Sequence, residues 1–200
     1  EKVFIKILKS EKEDKKVLKL VEEFLSVESV AKKLLFNENH EFFSVMITRA
    51  SENVLKFFIG KMFEFINHQT FMDYNFKFKN YRNVLHLAAV NTNPNAMKFF
   101  ISFVESEFCV EDTKKMLSEL DKFDNSALHL VLMENTLENL KFLFAFYEKF
   151  FTKDEMKNYL NLILRSKGAF SSIVDDKLEI IKIFATRYEV NFTCQENYFE

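Results

Sequence analysis

The chain has 200 residues, of which 48% are apolar and 29% are charged, and its formal net charge is −2. This balance is typical of a folded domain, so it excludes an intrinsically disordered chain and does not favour a strongly basic nucleic-acid binder. No stretch approaches the roughly 18 uninterrupted apolar residues of a membrane span, so we expect no direct membrane insertion.

One signature, an apolar residue followed by Lys and two further apolar residues, recurs along the whole chain. Successive lysines are separated by 37, 42, 43 and 41 residues, which is a period of about 41. Such a period is typical of stacked helical repeats. It divides a single domain, 1–200, into five approximate repeats: 1–34, 35–76, 77–119, 120–160 and 161–200. Since the sequence opens at Glu1 without Met, we expect the domain to be part of a longer protein.

The first two repeats are predicted from spacing and apolar pattern alone. In the first, Leu18-Lys19-Leu20-Val21 marks a helix, and a shorter amphipathic helix is expected over 29–35. In the second, Leu55-Lys56-Phe57-Phe58 marks the corresponding helix, and Ser44 stands where the next two repeats have His.

The third and fourth repeats carry the most specific motif. Asn83-Val84-Leu85-His86-Leu87-Ala88-Ala89 is followed 43 residues later by Ser126-Ala127-Leu128-His129-Leu130-Val131-Leu132. Each motif predicts one helix, and the Lys signature that begins 11 residues after each His predicts a second, antiparallel helix. Short amphipathic segments over 113–120 and 152–160 predict a third helix per repeat. The second of these segments starts with the Thr152 and Glu155 spacing of a capping box.

The fifth repeat again has only the Lys signature, Ile181-Lys182-Ile183-Phe184, with Phe170 at the position of His. Throughout the chain, two glycines and one proline are too few to form the turns, so Asn and Asp must form them. The 26 phenylalanines fall largely at helix-face spacing, and we interpret them as core residues.

The two central motifs resemble the ankyrin repeat family, whose pattern runs Asp-x-x-Gly-x-Thr-Pro-Leu-His-x-Ala-Ala. Leu85-His86-Leu87-Ala88-Ala89 matches the core of that pattern. A second match begins at Asp121, with Asp124 in place of Gly, Ser126 in place of Thr and Ala127 in place of Pro. The resemblance implies an all-α, ankyrin-like α-solenoid of about five helix-pair repeats, each with an extra short helix. Because family repeats have about 33 residues, a HEAT-type solenoid, with a period of about 40–47, is the alternative.

The resemblance also implies a non-catalytic protein–protein interaction module, which binds a partner protein through finger loops and a concave face. The implied partner-binding positions are Asn37, Glu38, His40, Thr48, Arg49, Phe76, Phe78, Lys79, Asn80, Tyr81, Arg82, Val90, Asn91, Lys122, Phe123, Asn125, Met133 and Glu134. Aromatic anchors with a charged rim are typical of binding patches, although Phe76 and Phe78 could instead fold back onto the neighbouring repeat. Two alternatives stay open: a cytosolic regulatory or assembly segment of a larger membrane protein, and a soluble inhibitor that masks a transcription factor.

We expect no enzyme and no catalytic, cofactor-binding or metal-binding residues. The chain has no His-Glu-x-x-His motif and no glycine-rich phosphate loop, and the resemblance assigns His86 and His129 structural hydrogen bonds between adjacent turns. The repeated lysines could form a basic ladder, but Glu52, Glu138 and Glu179 lie within one helical turn of them, so nucleic-acid binding is disfavoured. Two widely separated cysteines disfavour a disulfide and predict an intracellular location, cytoplasmic with a nuclear one as the alternative.

Overall fold

A computed structural model of the chain describes residues 14–27, 29, 41–65, 81–91, 93–134, 137–165 and 175–190. The ten elements of these ranges are all α-helices, so the predicted all-α class is confirmed. In chain order they are α1 (Asp14–Leu25), α2 (Glu41–Arg49), α3 (Glu52–Phe65), α4 (Val84–Ala89), α5 (Pro94–Glu107), α6 (Val110–Ser118), α7 (Ala127–Glu134), α8 (Leu137–Phe150), α9 (Lys153–Arg165) and α10 (Asp175–Arg187). None of the described helices combines the length and the apolarity that crossing a lipid bilayer requires.

The helices pack in two rows. In one row α4 lies between α2 and α7, and in the other α1, α3, α5 and α8 follow one another. The pairs α4–α5 and α7–α8 join the two rows, while α6 and α9 pack against α8. The motif helix α4 therefore contacts the corresponding helices of both neighbouring sequence repeats, α2 and α7. The apolar core lies between the rows.

The sequence of each helix matches its place in a row. All six residues of α4 are buried because this helix has neighbours on both sides in its own row and α5 beneath it. In α8, the buried positions Leu140, Leu143, Phe144 and Tyr147 recur at the spacing of one helix face. Charged residues such as Lys141 and Lys149 occupy the opposite, exposed face.

The additional helices predicted at 113–120 and 152–160 are present as α6 and α9. The predicted capping box opens α9: the N–H of Thr152 donates to Glu155 Oε2 at 2.7 Å, and the N–H of Glu155 donates to Thr152 Oγ1 at 3.3 Å. The hydroxyls of Tyr147 and Tyr159 donate to the carbonyl oxygen of Leu117 at 2.8 and 3.2 Å, which ties α6, α8 and α9 together. Of the helix expected over 29–35, all but Ser29 lies outside the described residues.

Aromatic side chains fill much of the core, as their spacing predicts. Phe58, Phe100, Phe144 and Phe146 are buried, and each contributes about 1.5–3 kcal/mol by leaving water. Ring contacts also connect different helices. The rings of Phe144 and Phe184 stack with centroids 3.5 Å apart and join α8 to α10.

Candidate partner-binding surface at the finger loops

The loops that precede α4 and α7 share an unusual backbone conformation. Tyr81 has φ 59°, and Asp124, 43 residues later, has φ 62°. Both lie in the left-handed region that favours glycine, and Asp124 stands where the ankyrin pattern has Gly. A side chain in this region costs about 1–2 kcal/mol, so Tyr81 holds its backbone conformation at a cost in stability.

Asn83 and Ser126 cap α4 and α7 in the same way. The N–H of Asn83 donates to Nδ1 of His86 at 3.3 Å, and the N–H of Ser126 donates to Nδ1 of His129 at 3.1 Å. In return, the side-chain oxygen of each cap residue accepts the N–H of its His, at 3.1 Å for Asn83 and 3.4 Å for Ser126. Matching bonds 43 residues apart make the two segments local structural equivalents.

His86 also links neighbouring repeats. Its Nε2 lies 3.0 Å from the carbonyl oxygen of Asn125. Since that oxygen can only accept, Nε2 carries the proton and Nδ1 accepts from Asn83. Burial lowers the pKa of His86 to about 4, and burial likewise lowers the pKa of His129 to about 4. The hydrogen bond between adjacent turns that was expected of His86 is present, whereas the buried Nε2 of His129 has no hydrogen-bond partner among the described residues, so the same expectation is not met there. Both rings are neutral near pH 7.

Asp121 builds the second loop, which we call the finger loop (121–125). Its Oδ1 accepts the N–H groups of Phe123 and Asn125 at 2.8 and 3.0 Å, and its Oδ2 accepts Arg82 Nε at 3.1 Å. The N–H of Asp124 donates to the Asp121 carbonyl oxygen at 3.0 Å and closes a turn. Burial alone would raise the pKa of Asp121, but these N–H donors and the guanidinium hold it below its ordinary value. One buried carboxylate therefore fixes the shape of the loop.

Two aromatic side chains project from these loops into solvent. Tyr81 is 66% exposed and Phe123 is 59% exposed. The ammonium of Lys122 lies 4.7 Å from the centroid of the Phe123 ring. We call Tyr81, Lys122 and Phe123 the finger surface. Leu120, 38% exposed beside this loop, is an exposed apolar neighbour that the sequence comparison with the ankyrin pattern missed.

Apart from Asn91, the remaining predicted positions divide into three groups. Those outside the described residues are Asn37, Glu38, His40, Phe76, Phe78, Lys79 and Asn80. The second group lies on α2 and α7 or just after α4. Thr48, Val90 and Met133 are half-buried, Arg49 is exposed, and Glu134 is the last residue of α7. Arg82 and Asn125 hold the finger loop through the bonds given above.

The assignment of Asn91 as a contact position is wrong. Its side chain is buried, with 2% of the residue exposed, and its amide donates to the carbonyl oxygens of Ile47 and Ala50 at 2.8 and 3.2 Å. Those carbonyls lie at the end of α2, where helix geometry leaves acceptors without an intrahelical donor. Asn91 therefore joins α2 to α4 instead of facing a partner.

Several charged residues of the second row form ion pairs. Glu52 pairs with Lys56 at 2.6 Å within α3, as predicted, but Glu138 pairs with Lys98 of the preceding repeat at 3.6 Å instead of with Lys141. A groove of about 340 Å³ between α5 and α8 is lined by Lys98, Ile101, Ser102, Glu105, Phe142, Ala145, Phe146 and Lys149. Its lysines and glutamate are all engaged in ion pairs. Among the described residues, no group of three or more His, Cys, Asp or Glu could hold a metal ion.

No known protein family, curated protein or solved structure matches this chain. The resemblance to ankyrin repeats therefore depends on the motif residues around His86 and His129. It stays a prediction, and so do the solenoid type and the number of repeats.

Proposed function

We propose that the chain is a non-catalytic module that binds another protein through the finger surface of an ankyrin-like α-solenoid of about five repeats. The two rows of helices support this architecture, because equivalent helices of successive sequence repeats lie side by side. The left-handed loop residues and the His-to-loop bond favour the ankyrin type over the HEAT type, since they fall on the ankyrin motif itself.

The observation that carries the binding proposal is the exposure of two aromatic rings on loops that are held in one conformation. Tyr81 and Phe123 leave most of their apolar surface in water, and Tyr81 does so at a backbone position that its side chain destabilises. Preformed aromatic anchors lose little conformational entropy on binding, so they are favoured in contact surfaces. His86 and His129 support the non-catalytic part, because buried neutral rings with pKa near 4 are poor proton-transfer groups at neutral pH.

Replacing the two rings tests this function. Phe123→Ser removes one ring, and Tyr81→Gly removes the other while suiting the left-handed backbone. Ile183→Ser is the matched control, because Ile183 is 62% exposed on α10, away from the finger loops. Tagged chains are used to recover partners from an extract of the source cells, and thermal unfolding is followed in parallel.

We expect the control to retain the partner protein and both finger variants to lose it. Neither finger variant should lower the midpoint of unfolding by more than about 3 °C, and Tyr81→Gly should raise it because the left-handed strain is relieved. Retention of the same partner by both finger variants would contradict the proposed surface. A large drop in the unfolding midpoint would show that the rings belong to the core.

A further inference from the structure

Three side chains at the start of α4 bind the finger loop and the part of the chain that leads into it. We call Arg82, Asn83 and His86 the α4 clamp. We propose that the α4 clamp positions the finger surface, so that the finger loop changes its shape when these side chains release it. The inference rests on the proposed function and deepens it, because it names the residues that keep the contact surface in one conformation without belonging to that surface.

The finger loop has no buried apolar side chain to hold it. Its sequence is Asp-Lys-Phe-Asp-Asn, and Phe123 is 59% exposed. Within the loop, the N–H of Asp121 donates to the Asn125 carbonyl oxygen at 2.8 Å, and Asp124 keeps its left-handed conformation at a cost in stability. Segments with few buried apolar contacts open easily. The shape of the loop therefore depends on polar bonds to the rest of the chain.

Arg82 and His86 hold the two ends of the loop. At its start, Arg82 Nε donates to Oδ2 of Asp121 at 3.1 Å. At its end, Nε2 of His86 donates to the Asn125 carbonyl oxygen at 3.0 Å. The Asp121 side chain is fully buried and that of Arg82 is 20% exposed, so solvent screens this pair weakly. Because both donors come from the start of α4, the loop is fixed relative to the end of one helix.

Asn83 holds the chain segment that precedes the loop. Its side-chain amide donates to the Met116 carbonyl oxygen at 2.8 Å and to Glu119 Oε2 at 3.0 Å. Met116 lies in the last turn of α6, where carbonyls lack intrahelical donors, and Glu119 lies two residues before Asp121. Asn83 is fully buried, so breaking these bonds leaves buried polar groups unsatisfied. The amide therefore fixes where the chain leaves α6 and enters the loop.

Capping alone does not require the amide of Asn83. Ser126 caps α7 with a hydroxyl, which lies 2.9 Å from Nδ1 of His129 and accepts the N–H of that residue. Ser and Asn are comparably good helix caps. What Asn adds at position 83 is a pair of N–H donors, whose acceptors are the Met116 carbonyl and the Glu119 carboxylate. Asn83 therefore has a second role, which is to position the finger loop.

Hydrogen exchange of the whole chain, followed residue by residue by NMR at neutral pH, tests the proposal. The reporters are the N–H groups of Phe123 and Asn125, which donate to Oδ1 of Asp121. Asn83→Ser keeps a cap of the kind found at α7 but removes both amide bonds. Exchange of the two reporters should become at least about tenfold faster, because opening the loop no longer has to break those bonds.

Asn139→Ser is the matched control. Asn139 is also fully buried, and its amide donates to the Asn91 carbonyl oxygen at 2.9 Å, just beyond the other end of α4. This substitution should lower the stability of the whole chain while it leaves exchange of Phe123 and Asn125 within about twofold of the parent, because loop opening does not break that bond.

Glu119→Ala tests the same contact more mildly, since it breaks only the partly buried bond from Asn83 and should accelerate exchange of the reporters about threefold. Unchanged exchange in either Asn83→Ser or Glu119→Ala would overturn the proposal, because the loop would then open while the α4 clamp stays closed. Equal acceleration in Asn83→Ser and Asn139→Ser would overturn it too, since the loop would then open only together with the whole chain.

The natural partner separates this inference from the proposed function. Asn83→Ser leaves every residue of the finger surface in place, and we expect it to recover less of the partner than Asn139→Ser does. If the reporters respond as expected but Tyr81→Gly and Phe123→Ser retain the partner, the α4 clamp positions the loop and only the binding role is wrong.

Discussion

At the scale of single residues, the left-handed turns of the described residues are formed without glycine. Tyr81, Asp124 and Glu189 have positive φ without being glycine, whereas Gly60 lies inside α3. Glu189 ends α10 in a Schellman motif, in which Val190 donates to the Ala185 carbonyl at 2.8 Å and Glu189 donates to that of Thr186 at 3.2 Å. The scarcity of glycine shows that non-glycine turns are needed, but it does not show which residues form them.

Protonation of the buried histidines should make stability depend on pH. A pKa of about 4 in the folded chain, against 6.5 when unfolded, means that the unfolded chain binds more protons between these values. The free energy of unfolding is therefore highest above pH 6.5. It falls as the pH drops towards 4, and His86 alone accounts for a loss of up to about 3 kcal/mol. Urea unfolding at several pH values measures this dependence.

His86→Gln provides the control, because Gln does not titrate. Its stability should change less with pH than that of the parent between pH 6.5 and 4. The depressed pKa of Asp121 also lowers stability in acid, but it does so in both proteins and cancels in the difference. Parallel pH curves for the two proteins would show that His86 is not held neutral by the fold.

At the scale of elements, the amphipathic segments predicted the helices well because one buried face is a local property of the sequence. α6 and α9 appear where apolar spacing and the Thr152–Glu155 box predicted them. Side-chain partners across helices were harder to predict. The burial of Asn91 depends on where α2 ends in space. Glu138 pairs with Lys98 because α5 and α8 are neighbours, and the spacing of residues within one helix cannot predict which helices are neighbours.

Gly60 should be a position where α3 can be made more stable. It lies in the interior of the helix, is exposed, and a Cβ added there would meet nothing within 4 Å. Gly60→Ala should therefore raise the free energy of unfolding by about 1 kcal/mol. Ala145→Gly, at an exposed position of α8, should lower it by a similar amount. Urea unfolding measures both changes, and a Gly60→Ala variant less stable than the parent would contradict the open space around Gly60.

At the scale of the whole molecule, ion pairs repeatedly join one repeat to the next. Pairs that do so are Arg82–Asp121, Lys98–Glu138, Glu105–Lys149, Lys114–Glu155 and Lys153–Glu189. Most are exposed on both sides, and such pairs contribute little. The period in the sequence predicted that equivalent segments would stack, whereas the choice of partners across the stack required the packed helices.

The buried Arg82–Asp121 pair should contribute far more to the free energy of unfolding than an exposed ion pair does. Arg82→Ala leaves the carboxylate of Asp121 buried without its cation, so we expect a loss of about 2–3 kcal/mol in the free energy of unfolding. Lys114→Ala breaks a pair that also joins neighbouring repeats, at 2.7 Å, but that pair is partly exposed, and the expected loss is below about 1 kcal/mol. Chemical denaturation of both variants measures the difference, and equal losses would contradict the special role of the Arg82–Asp121 pair.

The two-row packing also bears on how the chain folds. Adjacent members of a row, such as α4 and α7 or α5 and α8, are separated by roughly the same length of polypeptide. Adding each further helix to a row therefore closes a loop of similar length, so the entropic cost of loop closure is nearly the same for every helix that is added. Folding that nucleates in the central helices can therefore spread towards both ends in similar increments, and pulling on the termini should extend the chain in steps of about one repeat.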